Sequence, residues 1–271
     1  MTHPVLLNNV THAALHIHTG HGERFGDAVQ SALVMPGEFR DVQAHYPIVF
    51  QKSADGTEFH AIALFGLETG ENLFLAGDRW DAHYVPIAIE RQPFLIGRGE
   101  GDSLMMQLDP SSPRIATGPA DGTEAVFLPH GGNTDYLDRM NSLLLALHEG
   151  MQQMREFTQA LLSLELLESF VLDVELKDGR EGRLAGYYTV HEERLAQLPG
   201  NALERLNRAG FLTPLHMVLA SMSRWRDLID RKNNPPPRRS VPPPQGGAPS
   251  GLAKPDPRVP LGNSLSEPAE T

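Results

Sequence analysis

The chain has 271 residues, 40% hydrophobic and 21% charged, enough for one large domain or two small ones with a substantial core. Its 34 acidic side chains against 23 basic give a net charge of −11, which argues against broad nucleic-acid binding or attachment to anionic lipid, since both favour a basic face. There is no cysteine, so disulfides, thiolate nucleophiles, iron–sulfur clusters and cysteine-ligated zinc are excluded.

No apolar run approaches the eighteen or so residues of a membrane span. The first twenty residues lack the basic start, apolar stretch and small-residue cleavage site of a secretory signal. The expectation is a cytoplasmic protein without a transmembrane segment. Five of the 12 histidines fall early, at His3, His12, His16, His18 and His21. Spacings of four and two place neighbours on one side of a helix or strand, and histidine clusters can hold zinc, copper or nickel. No carboxylate stands at a recognisable offset, and Thr19, Gly20 and Gly22 mark a flexible segment, so no metal or other cofactor is expected.

The next section reads as sheet. Tyr46 to Phe50 is a β-rich run with Pro47 at its start. Asp55-Gly56 supplies a turn, and Glu58 to Phe65 is apolar on both faces, as in a buried strand. Gly70 to Leu75 reads as another strand, closed by Gly77-Asp78. Pro86 opens a short helix. Pro93 to Ile96 and Ser103 to Asp109 read as two strands joined by a loop from Gly97 to Asp102. That loop holds two acids and leads into a strand, so it is a hairpin rather than a phosphate cradle.

From Thr134, a suitable N-cap, to about Leu167 the period becomes helical. Leu137, Met140, Leu144, Leu147, Met151 and Met154 form a seam, continued by Leu161 and broadened by Leu143, Leu145, Phe157 and Leu162. Such a stripe reads as a helix packed on the sheet. Phe170 to Leu176 and Leu184 to Val190, around Asp178-Gly179, make a hairpin, with Leu184, Gly186, Tyr188 and Val190 on one face. Short helices follow around His191 to Leu198 and from Asn201 to Ala209, the second stopped by Gly210. The last helix reads from Thr213 to Arg231, with Pro214 at its first position. From Asn233 to Thr271 lie 11 of the 22 prolines and no aromatic residue. This tail cannot bury enough surface to order itself and is expected to be disordered. The remaining residues, 1–232, carry 19 basic and 31 acidic side chains, so the acidity belongs to the body. The expected architecture is one α+β domain, an antiparallel sheet packed against two long amphipathic helices, with a disordered proline-rich tail.

No catalytic motif emerges. There is no Gly-x-Ser-x-Gly elbow, and His148-Glu149 and His191-Glu192 both lack the second histidine of a zinc protease. His191, Glu193 and His216 match the ligand types of a non-haem iron oxygenase, but an acidic opening of a helix also has a dipole explanation. Trp80, Tyr84, Arg91 and Phe94 are the residue types that anchor interfaces. They are candidates for a partner-binding surface if exposed; if Trp80 and Phe94 are buried, they are core anchors and Arg91 pairs with a local acid.

Several ordered stretches resemble the SapC family of bacterial proteins: Tyr46 to Phe50, Gly66-Leu67 with Gly70 to Phe74, Trp80-Asp81 with Tyr84 to Pro86, and Arg91 to Phe94. Asp178-Gly179, Gly186-Tyr187, Gly210 to Leu212 and Leu228-Ile229 continue the likeness, which spans about residues 5 to 231. The family is named from a locus associated with a paracrystalline surface layer. Its members are often encoded beside outer-membrane receptors, flavin-dependent tryptophan halogenase-like proteins and cupin-like proteins. The resemblance thus implies a non-catalytic accessory protein with a protein partner in the cell envelope or a neighbouring uptake or modification system. The alternative it leaves is a peptide- or tryptophan-modifying enzyme, or a subunit of one.

Overall fold

The structure, a computed structural model, describes residues 3–99, 101 and 103–234. The N-terminal part contains β1 (Val5–Leu6), β2 (His16–His18), β3 (Ser31–Leu33), α1 (Phe39–Val42), β4 (Ile48–Lys52), β5 (Phe59–Leu64), β6 (Leu75–Ala76) and β7 (Arg79–Trp80). Next come α2 (Ile87–Glu90), β8 (Phe94–Arg98), β9 (Leu104–Leu108), β10 (Ile115–Ala116), β11 (Thr123–Ala125) and α3 (Asp135–Ser163). The chain continues through β12 (Leu167–Glu175), β13 (Glu181–Val190), α4 (Glu192–Ala196), α5 (Gly200–Arg208), α6 (Leu212–Ser221) and α7 (Arg224–Asn233).

The main sheet has five strands in the order β12-β13-β4-β5-β3, all neighbours antiparallel. Phe50 and Ile48 stand opposite Ala61 and Ala63, so large side chains meet small ones and helices can approach. Tyr188 pairs with Phe50, and on that face the Phe157 ring of α3 lies 6.2 Å from Phe50. Residues alternate across a strand, so Tyr187 and Thr189 look the other way. There the Thr189 hydroxyl meets the Met222 sulfur, and Trp225 stacks on Phe170, the partner of Tyr187, at 5.3 Å. The two helical layers therefore hold opposite faces of the sheet. The expected α+β class, with an antiparallel sheet and covering helices, holds.

Smaller β elements flank this sheet: β1-β9-β8, β10-β2-β11 and the β6-β7 ribbon. With the first half of α3 the two three-stranded groups enclose a second apolar cluster of Leu15, Ile17, Phe94, Leu108, Val126, Phe127, Leu137, Met140 and Leu144, while Trp80 of the ribbon belongs to the main-sheet cluster. The second half of α3 belongs to the larger cluster around the main sheet, through Met154, Phe157 and Leu161. Thr134 caps α3 as expected, its hydroxyl accepting the Leu137 N–H at 3.2 Å.

The buried stripe of α3 runs through Gly150 rather than Met151, which is 44% exposed. A straight helix repeats every 3.6 residues and drifts away from a heptad spacing. The same drift leaves Leu145 and Leu162 exposed. At Gly150 the helix lies directly on Met35, and an added Cβ would stand 2.7 Å from that side chain.

Three expected elements differ. Gly70 to Leu75 is a loop, with only Leu75 in a strand. Its side chains bind backbone instead: Glu71 accepts the Leu67 N–H at 2.9 Å and Asn72 the Phe74 N–H at 3.0 Å, a local competition with strand pairing. The single final helix is two, and it starts at Leu212 rather than after Thr213. At the break, the Ser221 and Ser223 hydroxyls donate to the carbonyls three residues back, and Ser221 Oγ also accepts the Ile48 N–H at 2.9 Å. In β13 a bulge at Gly186, whose φ is 88°, shifts the register between Phe170 and Leu172. Tyr187 and Thr189 thereby follow Leu184 onto its face, in place of Tyr188 and Val190.

The expected hairpin joins the antiparallel pair β8 and β9, but Gly97 and Arg98, expected in its loop, are paired residues of β8; Glu100 and Asp102 lie outside the described residues. So does the proline-rich tail from 235 onward, while Asn233 closes α7. Among the described residues no helix is long and apolar enough to cross a membrane.

Replacing Met154 by alanine should cost about 2–5 kcal/mol, and the same change at the neighbouring Met151 under about 1 kcal/mol. Gly150→Ala should destabilise by about 1–3 kcal/mol through overpacking on Met35, against its gain in helix propensity. Urea denaturation of the three variants checks the order.

Candidate functional site

Trp80, Tyr84, Arg91 and Phe94 do not form one exposed surface. Trp80 is 5% exposed in the main-sheet cluster and Phe94 is fully buried in the other. Trp80 donates its indole N–H to the Tyr46 hydroxyl at 2.7 Å, and that hydroxyl donates to the Tyr84 carbonyl. Tyr84 in turn donates to Glu38 at 2.7 Å. Glu38 is 4% exposed and also accepts the N–H groups of Met35 and Ile87. Burial raises its carboxyl above the usual carboxylate range, and these hydrogen bonds offset only part of that. Arg91 donates to the Phe94 carbonyl at 2.6 Å rather than to a local acid.

Among the described residues the early histidines form no ligand cluster, although His18 and His21 line the same cleft. His12 accepts the Asn8 N–H, His16 lies against the Ala14 carbonyl, and His18 packs on Phe25 at 5.2 Å. His191 caps α4, its ring accepting the Arg194 N–H, while His216 is turned back to the Leu212 carbonyl at 2.8 Å. Among the described residues no three His, Asp or Glu side chains are grouped to hold a metal ion.

The strongest ionisable constellation joins one of these early histidines, His21, to two residues that no sequence pattern marks. β10 pairs with β2 so that Ile115 stands opposite Ile17, which brings Arg114 beside His18. The chain then turns through Gly22 to Gly26, whose left-handed φ of 85° suits glycine, and returns with Asp27. Arg114 is 3% exposed and Asp27 fully buried. Arg114 donates to Asp27 Oδ1 at 2.6 Å and to the carbonyls of Gly20 and His18 at 2.7 and 3.2 Å. Asp27 Oδ2 accepts the Gly22 N–H at 2.9 Å and faces His21 Nδ1 at 3.2 Å. Burial alone would raise the Asp27 carboxyl. The His21 hydrogen bond, the Arg114 charge and the Gly22 N–H together outweigh it and hold the carboxyl below the usual range.

Above this pair opens a cleft of about 400 Å³. His18, His21, Glu90 and Gln92 line it. Glu124 and the first turns of α3, with Asp135, Tyr136, Arg139 and Met140, complete it. Glu90 and Arg139 form an ion pair. The Tyr136 ring packs at 6.2 Å from Phe94, and burial pushes its hydroxyl pKa up. The lining offers hydrogen bonds and charge, while its two arginines are already matched to carboxylates. The cleft is therefore the candidate functional site. It escaped sequence reading because Arg114 and Asp27 sit in short irregular segments, 87 residues apart.

Comparison with protein-family models matches residues 7–228 to the family described as SapC. No curated protein and no solved structure matches the chain.

Arg114→Met should cost about 3–5 kcal/mol, because it strands a buried carboxylate, and adding Asp27→Asn should recover part of the loss. The Asp27 carboxyl is held below its unfolded value of about 3.9. Its contribution is therefore present above that pH and lost as pH falls through the lower folded value. The stability gap between the native chain and Asp27→Asn, read by urea titration, should shrink steadily from pH 5 toward pH 2. A gap independent of pH would contradict the pairing.

Proposed function

The chain belongs to the SapC family, and from that premise we propose that it is a non-catalytic accessory protein. It binds a protein partner in surface-layer or cell-envelope assembly, or in an uptake or modification system encoded beside it. The family assignment, covering residues 7–228, supports the envelope setting through the locus from which the family takes its name.

One observation carries the binding role: the buried charged groups of the cleft are committed to holding the fold. Arg114 spends its Nη donors on Asp27 and two carbonyls, and at the surface the exposed Arg139 is paired with Glu90. A general acid or base must reach a substrate proton, and a guanidinium neutralised by a buried carboxylate serves architecture instead. The net charge of −11 favours a partner with a basic surface, because complementary charge speeds and steers encounter.

Affinity recovery of a chromosomally tagged copy from its native cell, with fractionation and mass spectrometry, tests this. The expected result is stoichiometric recovery with a surface-layer component, an envelope receptor or a halogenase-like protein. The association should weaken between 50 and about 300 mM salt if charge guides it. Recovery of the chain alone in the soluble fraction would contradict the proposal.

A further inference from the structure

The main sheet ends on an open edge. β12 is nine residues long and, among the described residues, pairs with β13 alone. At the turn the Leu176 N–H donates to the Arg180 carbonyl at 2.8 Å, and at the other end the Leu166 carbonyl accepts the His191 N–H at 2.9 Å. Backbone groups alternate sides along an antiparallel strand, so the even-numbered residues of β12 face β13. The N–H and C=O groups of Ser169, Val171, Asp173 and Glu175 therefore point away from it. These residues are exposed, and among the described residues no other segment of chain is hydrogen-bonded to their backbone. Such an edge is a template for another strand. β12 has no proline or lysine to blunt it, and the bulge of this hairpin lies in β13. β3, at the opposite edge, has only three residues.

The sequence of this edge fits a second copy of itself. Placed antiparallel about a two-fold axis at Val171, all nine residues of β12 overlap, and outward residues meet outward residues. Val171, 45% exposed, stands opposite Val171 of the second copy. Phe170 stands opposite Leu172, Ser169 opposite Asp173, Glu168 opposite Val174 and Leu167 opposite Glu175. Apolar side chains thus meet at the centre. No carboxylate stands directly opposite another, the arrangement that would oppose pairing. We propose that the chain forms a symmetric dimer through β12, which joins two five-stranded sheets into one continuous sheet. The two-fold pairing removes this open edge from both copies. One strand pair is a small interface, so the dissociation constant lies in the micromolar range. This goes beyond the accessory role, because self-pairing does not depend on which protein partner is bound.

The test is analytical ultracentrifugation of the purified full chain between about 1 and 200 µM, joined to single-cysteine cross-linking. A reversible monomer–dimer equilibrium is the expected result. The chain has no cysteine, so any disulfide reports the introduced thiol alone. Val171→Cys should give a linked dimer under mild oxidation, since opposed Cα atoms in such a pair lie about 5.5 Å apart. Ser169→Cys should not, because its two copies lie about 13 Å apart along the strands. Val171→Glu should weaken the dimer at least about tenfold by setting two carboxylates face to face. Thermal unfolding of that variant at the lowest concentration should stay nearly unchanged, as for an exposed position. Raising salt from 50 to about 300 mM should tighten the dimer a few-fold by screening the net charge of −11. The partner association above weakens over the same range. A monomer at every concentration would overturn the proposal. So would a dimer that Val171→Glu leaves intact, or one in which Ser169→Cys cross-links as readily as Val171→Cys. None of these outcomes touches the pull-down result, so the two readings are separately refutable.

Discussion

Helix α3 is buried twice along its 29 residues. Leu137, Met140 and Leu144 enter the cluster formed with β2, β8 and β9, and Met154, Phe157 and Leu161 enter the cluster on the main sheet. A helix this long has little stability of its own in water and takes it from packing. Both halves must therefore be seated for either cluster to close. Gly150 sits between them, where the backbone passes so close to Met35 that a side chain would collide. The remaining architecture follows from this seating. Phe211, at the start of α6, meets Phe157 at 5.5 Å, and the C-terminal helices continue from there to the far face of the sheet.

The cleft inherits its rigidity from the same helix. Tyr136 and Arg139 lie on its first turns, interleaved with the buried Leu137 and Met140, so that wall moves only if the core does. Beside the cleft a second element is fixed by charge. Arg114 and Asp27 are both buried, and a pair of this kind is costly to form and costlier to break. Its specific geometry joins the β2 turn to the β10 strand and also to the loop at Asn72, whose side chain donates to the Asp27 carbonyl at 2.9 Å. A pocket between a packed helix and a buried ion pair is preorganised, which reduces the entropy cost of binding.

Long, periodic or turn-bounded segments were legible in the sequence. The N-cap of α3 and the hairpin β12–β13 carry their own signals, because Thr134 and Asp178-Gly179 act locally. The ordered family stretches, from Tyr46 to Phe94, were legible too. The strands that build the cleft were not. β2, β10 and β11 are two or three residues long, too short for alternation to register, and exist because Ile17 and Ile115 meet across nearly 100 residues. The clamp is equally silent, since neither Arg114 nor Asp27 stands in any pattern. Trp80, Tyr84, Arg91 and Phe94 illustrate a further limit. Residue type marks them as anchors, but only tertiary structure assigns Trp80 and Phe94 to two separate cores. The break after Ser221 depends on the Ile48 N–H, a partner 173 residues away.

Native-state hydrogen exchange along α3 tests the shared-spine account most directly. If the helix couples the two clusters, the amides of Leu137 to Leu144 and of Met154 to Leu161 exchange through one common opening, with equal and near-maximal free energies. Early opening of the first segment together with β8 and β9, while the second stays protected, would show two independent cores and contradict it.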